Sequence, residues 1–229
     1  MRTLLFILIG TFSVAAQSTM SISSLREAEK TAMNGDFGSA LSRLNTILKQ
    51  AQLEQASPGF ISRVQYDIGA CEFRLELTTQ AIGHLEDAIR LANGHYPKAF
   101  YALGMAEARL QNWPKARTAF LTTLRSDKAN GEAWFDLGVA YLGENNMENA
   151  EAAFRNAIKY GTCDASVGHN NIGVIRAMKG EIETAVAEFE KALKISNGDL
   201  AEARQNLKFC RTLSEATAFL TTLEFSQRK

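Results

Sequence analysis

Residues 134–157 read WFDLGVAYLGENNMENAEAAFRNA, and their spacing sets the reading of the whole chain. Trp134, Leu137, Gly138 and Tyr141 stand three, one and three residues apart, so they share one face of a helix, and the glycine on that face lets a second helix come close. Glu144-Asn145-Asn146-Met147 is a short polar turn. After it, Ala150, Phe154 and Ala157, four and three residues apart, form the apolar face of a second helix. A turn this short returns the second helix against the first, which predicts an antiparallel pair.

Outward from this stretch the pattern repeats. Glycines that end an apolar step fall at Gly69, Gly104, Gly138 and Gly173, 35, 34 and 35 residues apart. Twelve residues after each comes Ala81, Ala116, Ala150 or Ala185, and four further on a large apolar residue, Leu85, Phe120, Phe154 or Phe189. Pro114 marks the start of a second helix, where its missing N–H has no partner to lose. No single pair can bury both of its faces, so stacked neighbours must supply the core.

In register over four units, this pattern resembles the tetratricopeptide repeat. The resemblance implies an all-α, right-handed superhelical solenoid of antiparallel helix pairs whose first helices line a concave, polypeptide-binding face. Four units are expected at 62–96, 97–130, 131–165 and 166–199. An atypical unit at 17–56 precedes them, in which Ala28, Gly35, Ala40, Leu44 and Ile47 keep the steps but Glu27 replaces the apolar residue before the small one. From Ala28 to Gly69 the interval is 41 residues, and Ser57-Pro58-Gly59 is assigned to an extra loop. Residues 200–229 are read as a capping helix and tail, with Ala203, Leu207 and Cys210 continuing the first-helix face and Ser214 the candidate for a break.

The first residues read as an export signal: Arg2, an apolar run from Leu4 to Val14, then Val14-Ala15-Ala16 before Gln17. The run is too short for a membrane-spanning helix, cleavage is expected after Ala16, and Gln17 in place of cysteine argues against lipid attachment. The mature protein is expected to be soluble outside the cytoplasm, periplasmic or secreted.

Lys plus Arg (25) equals Asp plus Glu (25), so no net field attracts nucleic acid or an acidic membrane. Cys71, Cys163 and Cys210 are far apart, with Cys163 the candidate reactive thiol. His84, His95 and His169 show no metal-ligand spacing, and no nucleophile elbow or phosphate loop occurs. Neither metal, cofactor nor catalysis is expected, and a small exported hydrolase has no residues to assign.

Stepping around each first helix from its glycine gives the residues of the expected groove: Tyr66, Phe73 and Arg74, then Tyr101, Met105 and Arg109, then Phe135 and Leu142, then Asn170. Arg204 and Lys208 extend it on the cap helix. Such a groove suits an extended protein or peptide segment with apolar side chains and some acidic character. The same aromatics could instead fill gaps between repeats. A second binding mode is self-association through the apolar tail residues Phe219, Leu220, Leu223 and Phe225.

Overall fold

The computed structural model describes residues 22–161 and 165–227, with side chains as far as residue 216. Among the described residues there are eleven helices and no strand. They are α1 (22–33), α2 (Phe37–Leu53), α3 (Pro58–Arg74), α4 (Thr78–Leu91), α5 (Pro97–Arg109), α6 (Trp113–Ser126), α7 (Gly131–Gly143), α8 (Met147–Tyr160), α9 (Ala165–Met178), α10 (Ile182–Ile195) and α11 (Ala201–Gln227). The chain divides into two compact units within α6, one running to Ala119 and the other from Phe120. The expected signal segment, Cys163 and the tail side chains Phe219, Leu220, Leu223 and Phe225 lie outside the described residues.

Each hairpin is closed by one device. The chain leaves the first helix through a residue in the left-handed region: Gly35, Glu76, Gln111, Asn145 and Gly180, with φ from 58° to 87°. A side chain then often restarts the next helix. Asp36 Oδ1 accepts from Ser39 N at 3.0 Å, and Asn146 Oδ1 from Asn149 N at 3.2 Å. The large residue of the second helix then meets the glycine of the first, joined at Gly69 by the carbonyl of Ala81. A Cβ built on Gly138 would lie 2.7 Å from Phe154, one on Gly173 2.6 Å from Phe189, and one on Gly69 2.8 Å from Leu85. That sixteen-residue coupling is why the pattern in the sequence repeats as it does.

Stacking supplies the remaining core. In the first unit Leu25 and Ala28 of α1 join Ala40, Leu44 and Leu48 of α2 and Val64, Ile68 and Cys71 of α3. In the second unit Ala150 and Phe154 of α8 pack with Ile172 and Ile175 of α9, and Ala185 and Phe189 of α10 with Leu207 and Cys210 of α11. Burying each of those large side chains contributes roughly 1.5–3 kcal/mol.

Two expectations need correcting. Ser57-Pro58-Gly59 is the start of α3, not a loop: Ser57 Oγ accepts from Phe60 N at 3.3 Å, and Pro58 occupies the first turn. The helix expected to open near residue 62 therefore begins at Pro58. The additional residues lengthen helices, since α2 and α3 have 17 residues each where α4 to α10 have 13 or 14. At the other end, α11 passes through Ser214 without a break.

Candidate functional site

In the first unit α1, α3 and α5 are the first helices, and with α2 they surround a pocket of about 450 Å³. Glu29 and Met33 come from α1, Phe37 from α2, Tyr66, Asp67, Ala70 and Arg74 from α3, and Lys98 from α5. Small residues at Ala32 and Ala70 leave the space, and Met33, 86% exposed, stands at its rim. Tyr66 packs against Tyr96 with ring centroids 5.1 Å apart.

A ladder of arginines on aromatic rings runs along this face. The Arg74 guanidinium carbon lies 4.9 Å from the centroid of Phe37, and that of Arg109 4.0 Å from the centroid of Phe73. Arg109 also donates to the Phe73 carbonyl at 3.3 Å, tying α5 to α3. The rings fix the two cations while leaving them exposed. Among the described residues no carboxylate pairs with Arg74, Arg109 or Lys98, whereas Arg63 beside them is bonded to Glu29, with its Nε 2.9 Å from Oε1. Phe73 is thus covered by Arg109; Tyr66, Tyr101 and Met105 are half-buried.

Asp67 is the electrostatic anomaly of the pocket. Burial, and then the charge of Glu29, outweigh Arg63 and push its carboxyl up to about 7. Burial followed by Asp67 raises Tyr96 to about 12, and the same two causes, with Glu72, raise Cys71 to about 11. A thiol held that high is a packing residue at neutral pH, not a nucleophile.

The expected site residues of the second unit have other surroundings. Phe135 meets Phe154 edge to face at 5.3 Å and, with Leu142, packs against the Ala150 and Ile172 cluster. Asn170 is buried, and its Oδ1 accepts from Asn206 Nδ2 at 3.0 Å, joining α9 to α11. Arg204 and Lys208 are exposed on α11. The polar groups between helices are ties within the fold: His169 Nδ1 lies 2.7 Å from Glu188 Oε2, Lys191 bonds the other oxygen at 2.9 Å, and Glu151 is held by Arg155 and Arg176.

Sequence reasoning missed Glu29, Asp67 and Tyr96. Each is an ordinary polar or aromatic residue in its own helix or turn, and only the packing of α1 and α5 on α3 brings them together.

Two tetratricopeptide repeat profiles match the chain, over residues 101–166 and 168–199. The BBSome complex member BBS4 of Mus musculus is 26% identical over 164 residues, which is 72% of this chain and 30% of that protein. The chain thus spans less than a third of that relative. Among solved structures, YrrB, described as a tetratricopeptide-repeat protein with an unusual peptide-binding site, superposes with a TM-score of 0.70 at 20% identity, covering 86% of this chain and 97% of that one. A crystal structure of MamA gives 0.66 at 22% identity over 74% and 94%. At these identities the likeness establishes the fold, that of stacked tetratricopeptide helix pairs.

Proposed function

We propose that this protein is an exported, non-enzymatic adaptor that holds a segment of a partner polypeptide on the first-helix face of its first unit, in assembly of the cell envelope. The observation that carries the reading is the arginine ladder. Arg74 and Arg109 are cations pre-organised on Phe37 and Phe73 with no ion pair to a carboxylate of the described chain, and Lys98 beside them acts only weakly on Asp67. Holding uncompensated charge in place suits an acidic segment, whose apolar side chains the Tyr66 and Ala70 pocket can take. The export step is supported by Arg2, the Leu4 to Val14 run and Ala15-Ala16. YrrB's peptide-binding site is a precedent for this use of the fold.

The test is cross-linking of the protein in an envelope fraction, with its N-terminus read on the same sample. Cross-links from α3 and α5 to an acidic segment, loss of about tenfold or more in that partner's affinity with Arg74→Ala/Arg109→Ala, an unchanged melt and a start at Gln17 are expected. Unaltered binding by the double variant refutes the groove, and a retained Met1 refutes export. Phe209 and Leu213, 68% and 41% exposed one turn apart on α11, favour a second reading, self-association at this end. A change of mass in light scattering on deleting Phe219 to Lys229, with the melt kept, would support it.

A further inference from the structure

The contact between α1 and α3 places one carboxyl group against another. Asp67 Oδ2 is closed off from solvent, and no protein N–H or O–H reaches it. Its neighbour is Glu29, whose carboxylate lies within hydrogen-bonding reach of Asp67 and whose Oε1 is already taken by Arg63. Two ionised carboxylates cannot hold that arrangement, because each offers only acceptors and their charges repel. One proton between them satisfies the orphaned oxygen and removes the repulsion.

We infer that Asp67 and Glu29 share a proton across the α1–α3 contact, and that losing it loosens α1 from the first unit and opens the first-helix pocket as pH rises. The groups facing Asp67 are few. From α1 there is Glu29; from α3, Arg63, Tyr66 and Cys71; from the turn before α5, Tyr96; and from α5, Lys98. From α2 the pocket receives Phe37 and Leu44, both apolar, while Arg43 of that helix pairs with Glu27. Arg63 is engaged by Glu29, and Lys98 is the weakest of the influences on Asp67, so neither cation replaces the proton. α1 is the less firmly held of the two helices: twelve residues long, it buries Leu25 and Ala28 against α2 and α3, whereas α3 buries seven residues from Ser62 to Glu72.

Asp67 binds its proton more tightly with α1 docked, at about 7 in place of 3.8. Docking is therefore strongest below the undocked value, weakens as pH climbs from about 4 to about 7, and stays weakened above. Over pH 5 to 8 those two values raise the opening constant of α1 roughly 10- to 100-fold, the lower figure allowing for only partial relief on opening.

Hydrogen exchange on the full mature chain, with no partner present, tests this separately from any binding role. After correction for intrinsic exchange, amides of residues 22–33 should exchange about 10- to 100-fold faster at pH 8 than at pH 5, and those of α9 and α10 should not follow. Asp67→Asn, which supplies a neutral donor to Glu29, should make 22–33 protected alike at both pH values. A flat profile in the parent protein, or a slope kept by Asp67→Asn, overturns the inference. If Asp67→Asn does not fold, Glu29→Gln decides: its slope must shrink, and an undiminished one refutes the shared proton.

Discussion

Replacing Gly138 by alanine should destabilise the second unit, although alanine is the better helix former. A Cβ there would stand 2.7, 2.8 and 2.9 Å from Cε1, Cδ1 and Cζ of Phe154, so it meets one whole edge of a ring and not a single movable atom. That ring is fully buried, and Phe135 lies edge-on to it at 5.3 Å, so it has nowhere to swing. Overpacking of this kind costs about 1–3 kcal/mol, and the upper part of the range applies where the obstacle is rigid. The intrinsic preference of a helix for alanine over glycine returns about 1 kcal/mol. The net effect should be a loss of about 1–2 kcal/mol, or roughly 4 °C of melting temperature per kcal/mol for a unit of this size. Gly83→Ala is the matched control, since Gly83 is exposed inside α4 with nothing within 4 Å of the new Cβ. It should stabilise by about 0.5–1 kcal/mol. Melts followed by far-UV circular dichroism decide both signs. Phe154→Leu placed on Gly138→Ala should recover part of the loss as a favourable coupling. If Gly138→Ala melts at or above the parent, as Gly83→Ala is expected to, the close-approach account of the repeat glycines is wrong.

Asn206→Ala should cost about 1–3 kcal/mol in a denaturant titration, because it leaves the buried Asn170 Oδ1 without its donor; a loss below about 0.5 kcal/mol would make that tie incidental. Burial works against ionisation of Glu188, yet the bonds from Lys191 and His169 prevail and hold its carboxyl below the ordinary 4.5. A depressed value means that this contribution is present above about pH 4.5 and is lost as pH falls through the folded value, so Glu188→Gln should flatten the acid limb of the second unit's stability profile. An acid limb of unchanged steepness would show that other carboxylates set it.

The helix pairs were legible because each rests on residues sixteen apart whose sizes must match. Gly69 with Leu85, Gly138 with Phe154 and Gly173 with Phe189 can be found from spacing alone, and the structure brings each into contact. Hairpin turns were partly legible. Gly35 and Gly180 announce a left-handed residue, while Glu76 and Gln111 take the same conformation with nothing in their identity to show it. Ser57-Pro58 illustrates an ambiguity of local chemistry, since a serine before a proline serves equally in a loop and as the cap of a helix. Only the length of α2, which ends at Leu53, settles that Pro58 begins α3.

The groove was less legible, for a reason of geometry. Tyr66 and Phe135 share one offset from their glycines, yet Tyr66 borders a pocket with Tyr96 and Asp67, and Phe135 packs on Phe154. The difference is made by what lies opposite, and periodicity within a helix carries no information about that. The arginines were visible as exposed cations, but their seats on Phe37 and Phe73 arise from neighbouring helix pairs that approach only when stacked. Sequence alone therefore determined the helices, their pairing and the register of the units, because those depend on short-range spacing and on one close contact repeated. Tertiary structure alone decided which polar groups are left facing each other, Asp67 against Glu29 and Asn170 against Asn206, because such pairs join helices of different repeats and their energies depend on distance and burial.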